Sequence, residues 1–327
     1  FKVFRELFDF IPSIDNLLLK EIYDYQGDGR ESKLVNTRVR DRILKLSKQL
    51  ASAKSDEDFK DIVTEFYKEY GVGKFGLNKA FRIEESNDLN SANIIPITRV
   101  EHVYLDDIIG YENQKRKLVQ NTENFIKGRP ANNCLLYGDA GTGKSSSVKA
   151  IVNEYYDKGL RIIEIYKHQF RYLSDILEQI KDRNYKFIIY MDDLSFEESE
   201  LEYKYLKAIL EGGFGRRPEN VLIYATSNRR HLIRESFRDK TETDDELHRR
   251  DTVEEKLSLS ARFGEKIYYS SPDKKEFNNI VLSLAKKYNI NMEKEEILAR
   301  ANMWELSHGG MSGRSATQFI IYLQGRE

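Results

Sequence analysis

A glycine-rich stretch with one lysine lies near the middle of the chain. Its residues are Gly138, Asp139, Ala140, Gly141, Thr142, Gly143, Lys144 and Ser145. They fit the pattern G-x-x-x-x-G-K-[ST], with an apolar run before it and a helical pattern after it. Glycines let backbone N–H groups turn inward around phosphate, and a helix N-terminus adds partial positive charge. Lys144 is predicted to neutralise the β- and γ-phosphates of a bound triphosphate, and Ser145 to bind Mg²⁺. We expect the nucleotide contacts to extend to Ser146.

Two adjacent carboxylates follow another apolar run. Lys186–Met191 reads as a buried strand, and Asp192 and Asp193 come directly after it. The carboxyl edge of a parallel sheet is where such side chains meet a bound ligand. Asp192 is predicted to hold Mg²⁺, usually through water. Asp193 is predicted to orient or deprotonate the attacking water. The alternative is an aspartate pair that only caps a turn.

The elements that must position these residues alternate between strand and helix. Short apolar runs predict parallel strands at Cys134–Tyr137, Arg161–Tyr166, Phe187–Met191, Val221–Ala225 and Lys266–Tyr269. Helical patterns separate them at Lys144–Asp157, Tyr172–Lys181 and Leu201–Glu211. The alternation predicts an α/β core with a five-stranded parallel sheet. Three more helices are predicted after the strands end, at Lys274–Tyr288, Lys294–Ser307 and Arg314–Gln324. Ser271-Pro272-Asp273 is typical of a helix start, with an N-cap followed by proline.

The rest of the chain predicts a separate helical domain and a linker. Apolar residues recur at helical spacing up to about Arg82. Periodicity is lost over Glu84–Val100, where Ser, Asn and Asp cluster before Pro96. We therefore expect an N-terminal helical domain at 1–82, a linker at 83–104, a nucleotide-binding core at 105–270 and a helical lid at 271–327.

Composition excludes several classes of protein. The chain has 327 residues and a mass of 38.4 kDa, which suggests about two domains. With 53 basic and 54 acidic residues, it carries no overall positive field for nucleic acid. No apolar run approaches the ~18 residues of a membrane span. The single cysteine, Cys134, allows no intrachain disulfide, and we expect a cytoplasmic protein.

These motifs together resemble the AAA+ ATPase superfamily. More narrowly, four segments resemble an uncharacterised bacterial family of predicted AAA+ ATPases: Leu105–Gly110, Asp192–Glu198, Tyr224–Leu232 and Glu255–Gly264. The resemblance extends from about Phe75 to the end of the chain. In motif style, the nearest understood relatives are replication-initiator and helicase-loader ATPases.

The resemblance implies roles for further residues. Asn228 matches the polar "sensor 1" that contacts the γ-phosphate or the attacking water. Arg262 matches the arginine finger, which acts in trans on a neighbouring subunit's nucleotide. Arg314 matches "sensor 2", which reaches from the lid to the γ-phosphate. An ordinary turn asparagine and solvated arginines are the alternatives. The segment that contacts adenine corresponds to Ile108, Ile109, Gly110 and Tyr111.

One departure from the family pattern bears on catalysis. AAA+ proteins usually have glutamate where this chain has Asp193, whose side chain is one methylene shorter. Hydrolysis is then expected to be slow, or to be assisted by Glu197 or Glu198. We expect Mg²⁺-dependent ATP hydrolysis coupled to lid motion in a homo-oligomer that remodels an unidentified protein or nucleic acid.

Two other functions stay open. The first is a nucleotide-gated binding switch with little hydrolysis, which Asp193 favours. The second is a DNA-associated ATPase resembling helicase loaders. The basic and aromatic residues at Lys167–Tyr172 favour it, and the near-zero net charge does not.

Overall fold

The computed structural model describes residues 37–71, 73–86, 91–196, 200, 202–211, 218–229, 232 and 259–325. The chain divides into two compact units. One comprises Phe1–Lys79 and Pro96–Val100, and the other comprises Ala80–Ile95 and Glu101–Glu327. In the described part of the chain, no helix is both long and apolar enough to cross a membrane.

The described residues of the first unit up to Lys79 are mostly helical. It contains α1 (Thr37–Ser52), α2 (Asp56–Tyr70) and the single turn α3 (Lys74–Leu77). Ser55 caps α2, because its hydroxyl accepts from the backbone N–H of Asp58 over 3.0 Å. The guanidinium of Arg42 in α1 lies 4.3 Å from the ring centre of Tyr70 in α2. Residues 1–36 of the predicted N-terminal helical domain lie outside the described residues.

A seven-stranded, mostly parallel sheet forms the centre of the second unit. Its strands are β1 (Ala80–Glu85), β2 (Ala92–Pro96), β3 (Cys134–Gly138), β4 (Leu160–Glu164), β5 (Lys186–Met191), β6 (Val221–Ser227) and β7 (Glu265–Tyr269). Their spatial order is β2-β1-β4-β5-β6-β3-β7. The pairs from β1 to β7 along this order are parallel. All five predicted strands are present as β3 to β7.

The strands β1 and β2 correct the sequence prediction. Their residues lie where a helical domain was expected to end and a linker to begin. Instead, β1 pairs with β4, with Phe81 opposite Ile163. Phe81, Ile83 and Ile94 are buried. Each strand is short, and a polar segment separates them, so the apolar alternation is too brief to stand out. Among the described residues, the sheet therefore has seven strands instead of five.

Helices alternate with the strands and then close the unit. The core helices are α4 (Glu112–Ile126), α5 (Lys144–Tyr155), α6 (Leu173–Ile180) and α7 (Glu202–Glu211). The lid consists of α8 (Lys274–Lys287), α9 (Lys294–Ser307) and α10 (Gly313–Gln324). The lid has its own apolar core, which includes Phe277, Val281 and Phe319. Asp273 is the N-cap of α8, whereas Ser271 was predicted to begin the capping segment.

Candidate active site

A cleft of about 560 Å³ opens between the carboxyl edge of the sheet and the lid. Parallel strands direct their carboxyl ends to one edge, so the segments that follow β3, β5 and β6 meet there. From the core, the cleft is lined by Glu101, Val103, Asp107, Ile108, Ile109, Tyr111, Ala140, Gly141, Thr142, Gly143, Lys144, Ser145, Ser146, Asp192, Asp193, Thr226 and Asn228. From the lid, it is lined by Ile280, Leu284, Gly313, Arg314, Thr317 and Gln318.

The glycine-rich loop runs from β3 into α5, as the sequence predicts. A side chain at Gly138 is sterically excluded, because its Cβ would lie 2.0 Å from the carbonyl oxygen of Tyr269 on β7. Gly138 and Asp139 anchor the loop and are not among the residues lining the cleft. The residues from Ala140 to Ser146 line it. The backbone N–H groups at the first turn of α5 lack partners within the helix, which suits a bound anion.

Lys144 places a buried cation at the start of α5. The residue is 6% exposed. The ammonium donates to the carbonyl oxygens of Gly138 over 3.0 Å and Asp139 over 2.6 Å, and to Asn228 Oδ1 over 3.0 Å. Burial lowers the pKa of Lys144, and the carboxylates of Asp139, Asp193 and Asp192 oppose that shift. A buried cation with mostly neutral partners, at the wall of an open cleft, fits a polyphosphate ligand.

Asp192 accepts three hydroxyl hydrogen bonds on one oxygen. Ser145 and Tyr190 each donate to Oδ1 over 2.7 Å, and Thr226 donates to the same atom over 2.5 Å. Burial raises the pKa of Asp192, but the hydrogen bonds from Thr226, Ser145 and Tyr190 outweigh it, so its pKa lies below its usual value. An ionised carboxylate beside the Ser145 hydroxyl is an all-oxygen donor set, which fits Mg²⁺.

Asp193 and Asn228 form a second polar pair beside the first. Asp193 has a left-handed backbone, with φ 49°, and its N–H donates to Thr226 Oγ1 over 2.9 Å. Its Oδ1 accepts from Asn228 Nδ2 over 2.7 Å. Because Asn228 Oδ1 accepts from Lys144, the Asn228 amide connects the catalytic candidate Asp193 to the predicted phosphate-binding lysine.

The lid reaches the glycine-rich loop through the start of α10. The N–H of Arg314 donates to the carbonyl oxygen of Gly141 over 3.2 Å. A Cβ built on Gly141 would lie 3.0 Å from Arg314 Cβ. At the other side of the loop, the N–H of Ser271, just before α8, donates to Asp139 Oδ2 over 2.7 Å. The loop therefore contacts both the segment that enters the lid and the last helix of the lid.

Part of the segment predicted to contact adenine lines the cleft. Ile108, Ile109 and Tyr111 line the cleft, but Gly110 is not among its lining residues. The Tyr111 hydroxyl donates to the carbonyl oxygen of Ser270 over 2.8 Å, and burial raises the pKa of Tyr111 to about 12. Ile280 and Leu284 of the lid line the same cleft and were not predicted from the sequence.

Arg262 is not among the residues lining the cleft. Its guanidinium donates to Glu211 Oε1 at the end of α7 over 2.9 Å. Its predicted action in trans stays a prediction. Glu197 and Glu198, the suggested assisting carboxylates, lie outside the described residues.

The basic and aromatic segment Lys167–Tyr172 is a 3₁₀ helix after β4. Phe170 and Tyr172 are buried. Lys167 and Arg171 form ion pairs with Glu200 and Glu85. These side chains therefore contribute to packing and to local ion pairs.

Tyr190 and Thr226 are the polar residues that sequence reasoning missed. Both lie within apolar strands and read there as core residues. A signal was available, because residues two apart on a strand share a face. Tyr190 is two residues before Asp192, and Thr226 is two residues before Asn228.

Comparison with known proteins gives one family and several partial similarities. Residues 77–327 match the family described as "Protein of unknown function (DUF815)". A 71-residue segment is 41% identical to the replication factor C large subunit of Staphylothermus marinus; it covers 21% of this chain and 16% of that subunit.

Two solved structures are similar at low sequence identity. A point mutant of RuvB from Thermotoga maritima has a TM-score of 0.47 and 17% identity over 68% of this chain and 65% of that chain. The replication initiator DnaA bound to AMPPCP and single-stranded DNA has a TM-score of 0.46 and 19% identity, over 69% and 66%. This chain thus spans about a sixth of the curated relative and about two thirds of each structure.

In the α/β core, the glycine-rich loop between β3 and α5 and the paired aspartates after β5 lie as the resemblance to AAA+ ATPases implies, and the three-helix lid follows this core. The family match covers this core and the lid, because it begins at residue 77 and continues to residue 327. The chain belongs to the family described as "Protein of unknown function (DUF815)".

Proposed function

We propose that this protein binds ATP with Mg²⁺ in the cleft, hydrolyses it to ADP and phosphate, and couples hydrolysis to motion of the lid against the core. The hydrogen bond from Arg314 to Gly141 carries this proposal, because it joins the first turn of a lid helix to the loop that would hold the phosphates. A change at the phosphates therefore has a direct path to the lid.

Different residues of the cleft would bind the phosphates, hold Mg²⁺ and act on the attacking water. The N–H groups of the loop and the ammonium of Lys144 would bind the β- and γ-phosphates. Ser145 and Asp192 would hold Mg²⁺, which when bound neutralises negative charge on the phosphate oxygens. Asp193 would accept a proton from the attacking water or orient that water. Asn228 holds the Asp193 carboxylate on the side of Lys144.

Lid motion follows from contacts that differ between the nucleotide states. Arg314 lines the cleft from the lid, while Lys144 and Asn228 line it from the core. A γ-phosphate between them would attract Arg314 toward the core, and its release would remove that attraction. A ligand shifts such an equilibrium only by its different affinity for the two states.

We also propose that the working form is a homo-oligomer. Arg262 lies outside its own cleft and is held by Glu211 at 2.9 Å. A neighbouring subunit's cleft is the site that the family pattern assigns to it. The client would be a protein or a nucleic acid that the lid motion remodels.

A nucleotide-gated switch with little hydrolysis is the second candidate. One observation favours it: the short carboxylate of Asp193 is already bound to Asn228 over 2.7 Å. Replacing Asp193 with Asn separates the two functions. If the protein is an ATPase, Asp193→Asn lowers turnover by about 10²–10⁴-fold and leaves ATP affinity nearly unchanged. A switch would show the same low turnover in both proteins.

Binding is tested through Lys144. Calorimetric titration with Mg-ATP should detect binding to the wild type and to Lys127→Ala, and none to Lys144→Ala. Lys127 is a suitable control, since it pairs with Glu123 on the exposed surface of the core. Equal affinity of the wild type and Lys144→Ala would reject the site.

A further inference from the structure

Two hydroxyl groups outside the recognised motifs converge on the metal-binding candidate. Tyr190 is 3% exposed and Thr226 is 1% exposed. They come from the neighbouring strands β5 and β6, and both donate to Asp192 Oδ1, over 2.7 Å and 2.5 Å. Neither role follows from the glycine-rich loop or from the aspartate pair.

Thr226 also contacts the second aspartate. The backbone N–H of Asp193 donates to Thr226 Oγ1 over 2.9 Å, and the same hydroxyl donates to Asp192. One hydroxyl thus links the residue that would hold Mg²⁺ to the residue that would act on water. The same bond helps to hold the Asp193 backbone at its φ of 49°, which is unusual for a residue other than glycine.

A hydroxyl is the suitable group for this position. It accepts one hydrogen bond while donating another, which neither an aliphatic side chain nor an ammonium can do. Threonine is also branched at Cβ, so its rotation about χ1 is restricted within a strand. Restricted rotation and the two hydrogen bonds, one from Asp193 and one to Asp192, therefore hold the Thr226 hydroxyl in place.

Tyr190 supports the same carboxylate from β5. Asp192 accepts from three side chains in this structure: Ser145, Tyr190 and Thr226. The proposed function assigns the Ser145 hydroxyl to Mg²⁺. With Ser145 bound to the metal, Tyr190 and Thr226 would be the donors that hold Asp192 in place.

We propose that Tyr190 and Thr226 are positioning residues of the ATPase site: Tyr190 fixes Asp192 alone, and Thr226 fixes Asp192 and Asp193 together. This inference rests on the proposed function and deepens it. It predicts an asymmetry, because loss of the Tyr190 hydroxyl affects metal binding only, whereas loss of the Thr226 hydroxyl affects metal binding and turnover.

The test uses two pairs of variants. Thr226→Val removes the hydroxyl at constant shape, and Thr226→Ser retains it. Tyr190→Phe removes the hydroxyl on Asp192. Tyr224→Phe removes an equally buried hydroxyl of β6 that bonds instead to Thr122 over 2.8 Å and Asn121 over 3.1 Å. Thermal unfolding of each variant verifies that it is folded.

The first measurement is the affinity for a fluorescent ATP analogue with Mg²⁺ and with EDTA. The ratio of these two affinities gives the gain in affinity that Mg²⁺ provides. We expect that gain to fall about tenfold in Tyr190→Phe and Thr226→Val, and to persist in Thr226→Ser and Tyr224→Phe. Affinity in EDTA should change little, since the phosphate contacts lie in the loop.

The second measurement is turnover at saturating Mg²⁺. We expect kcat to fall about tenfold more in Thr226→Val than in Tyr190→Phe, with a similar KM for ATP. If Tyr190→Phe matches Tyr224→Phe and Thr226→Val matches Thr226→Ser, the inference is overturned and the proposed function stands. If Mg²⁺ does not raise the affinity of the wild type for the ATP analogue, the proposed function is rejected. The inference rests on that function and is then rejected as well.

Discussion

Asn228 Nδ2 donates to Asp193 Oδ1 over 2.7 Å, while the carbonyl oxygen of the same amide accepts from Lys144. The two bonds fix the orientation of the amide, since its oxygen faces the cation and its nitrogen faces the carboxylate. The proposed general base and the proposed phosphate-binding lysine are thereby held relative to one another.

Removing the Asn228 amide should separate catalysis from binding. Asn228→Ala leaves Asp193 without this donor, so we expect kcat to fall by about 100-fold. The affinity for Mg-ATP should change much less, because Lys144 keeps its bonds to Gly138 and Asp139. Steady-state kinetics and equilibrium binding measure the two effects. Equal loss of kcat and affinity would contradict the positioning role.

The approach of the lid to the loop depends on glycine at 141. Gly141 has φ 75°, and an added Cβ would lie 3.0 Å from Arg314 Cβ and from Ser312 Oγ. Gly141→Ala should lower the free energy of unfolding by about 1–2 kcal/mol through its backbone alone. It should also weaken Mg-ATP binding, because the new methyl group pushes α10 away.

Gly128→Ala is the matched control for that variant. Gly128 has a similar φ of 70°, and its added Cβ would meet nothing within 4 Å. The control should show the backbone effect on stability without the effect on nucleotide affinity. The same affinity in both variants would mean that the contact between lid and loop does not matter for binding.

An ion pair between core and lid should make lid stability depend on pH. Asp107 pairs with Lys287 of α8. Hydrogen bonds from Lys287 and from the N–H of Tyr104 hold the pKa of Asp107 below its usual value. The pair therefore contributes stability above the unfolded-state pKa of about 4, and that contribution is lost as pH falls through the lower folded-state pKa.

Comparing Asp107→Asn with the wild type measures this pair. Partly exposed pairs contribute about 0.2–1 kcal/mol, so Asp107→Asn should unfold at a slightly lower temperature at pH 7. The difference should shrink as the pH is lowered below about 4. Arg300→Gln breaks the pair with Glu296 inside α9. It serves as the control for losing an exposed ion pair that does not join the core to the lid. A difference that grows in acid would contradict the assignment.

The oligomer proposal predicts complementation between two inactive variants. Turnover per subunit should rise with protein concentration in the wild type and stay low in Arg262→Ala, since a finger in trans contributes about 10³–10⁵-fold. Mixing Arg262→Ala with Lys144→Ala should restore activity, because one variant supplies the cleft and the other supplies Arg262. Arg262→Ala that retains wild-type turnover would remove Arg262 from the mechanism.

Long apolar runs made most of the core predictable. The strands β3 to β7 and the helices of the lid lie within a few residues of their predicted bounds, because each is a continuous or strongly periodic segment. The glycine-rich loop was predictable since a short motif defines it. Gly110, placed in the adenine segment by family pattern, does not line the cleft.

The features that could not be predicted depend on contacts between distant segments. The strands β1 and β2 are too short to be distinguished from a linker until they pair beside β4. Tyr190 and Thr226 read as core residues until their hydroxyls are seen at Asp192. Packing of the lid sets which face of α8 meets the core. On that face, Ile280 and Leu284 line the cleft.

The central claim is that this cleft hydrolyses ATP, and phosphate release under saturating Mg-ATP tests it most directly. The assay compares the wild type with Lys144→Ala, purified identically, over a range of protein concentrations. The account predicts Mg²⁺-dependent release by the wild type and none by Lys144→Ala. Release that is absent from the wild type at every concentration, or equal in both proteins, would contradict it.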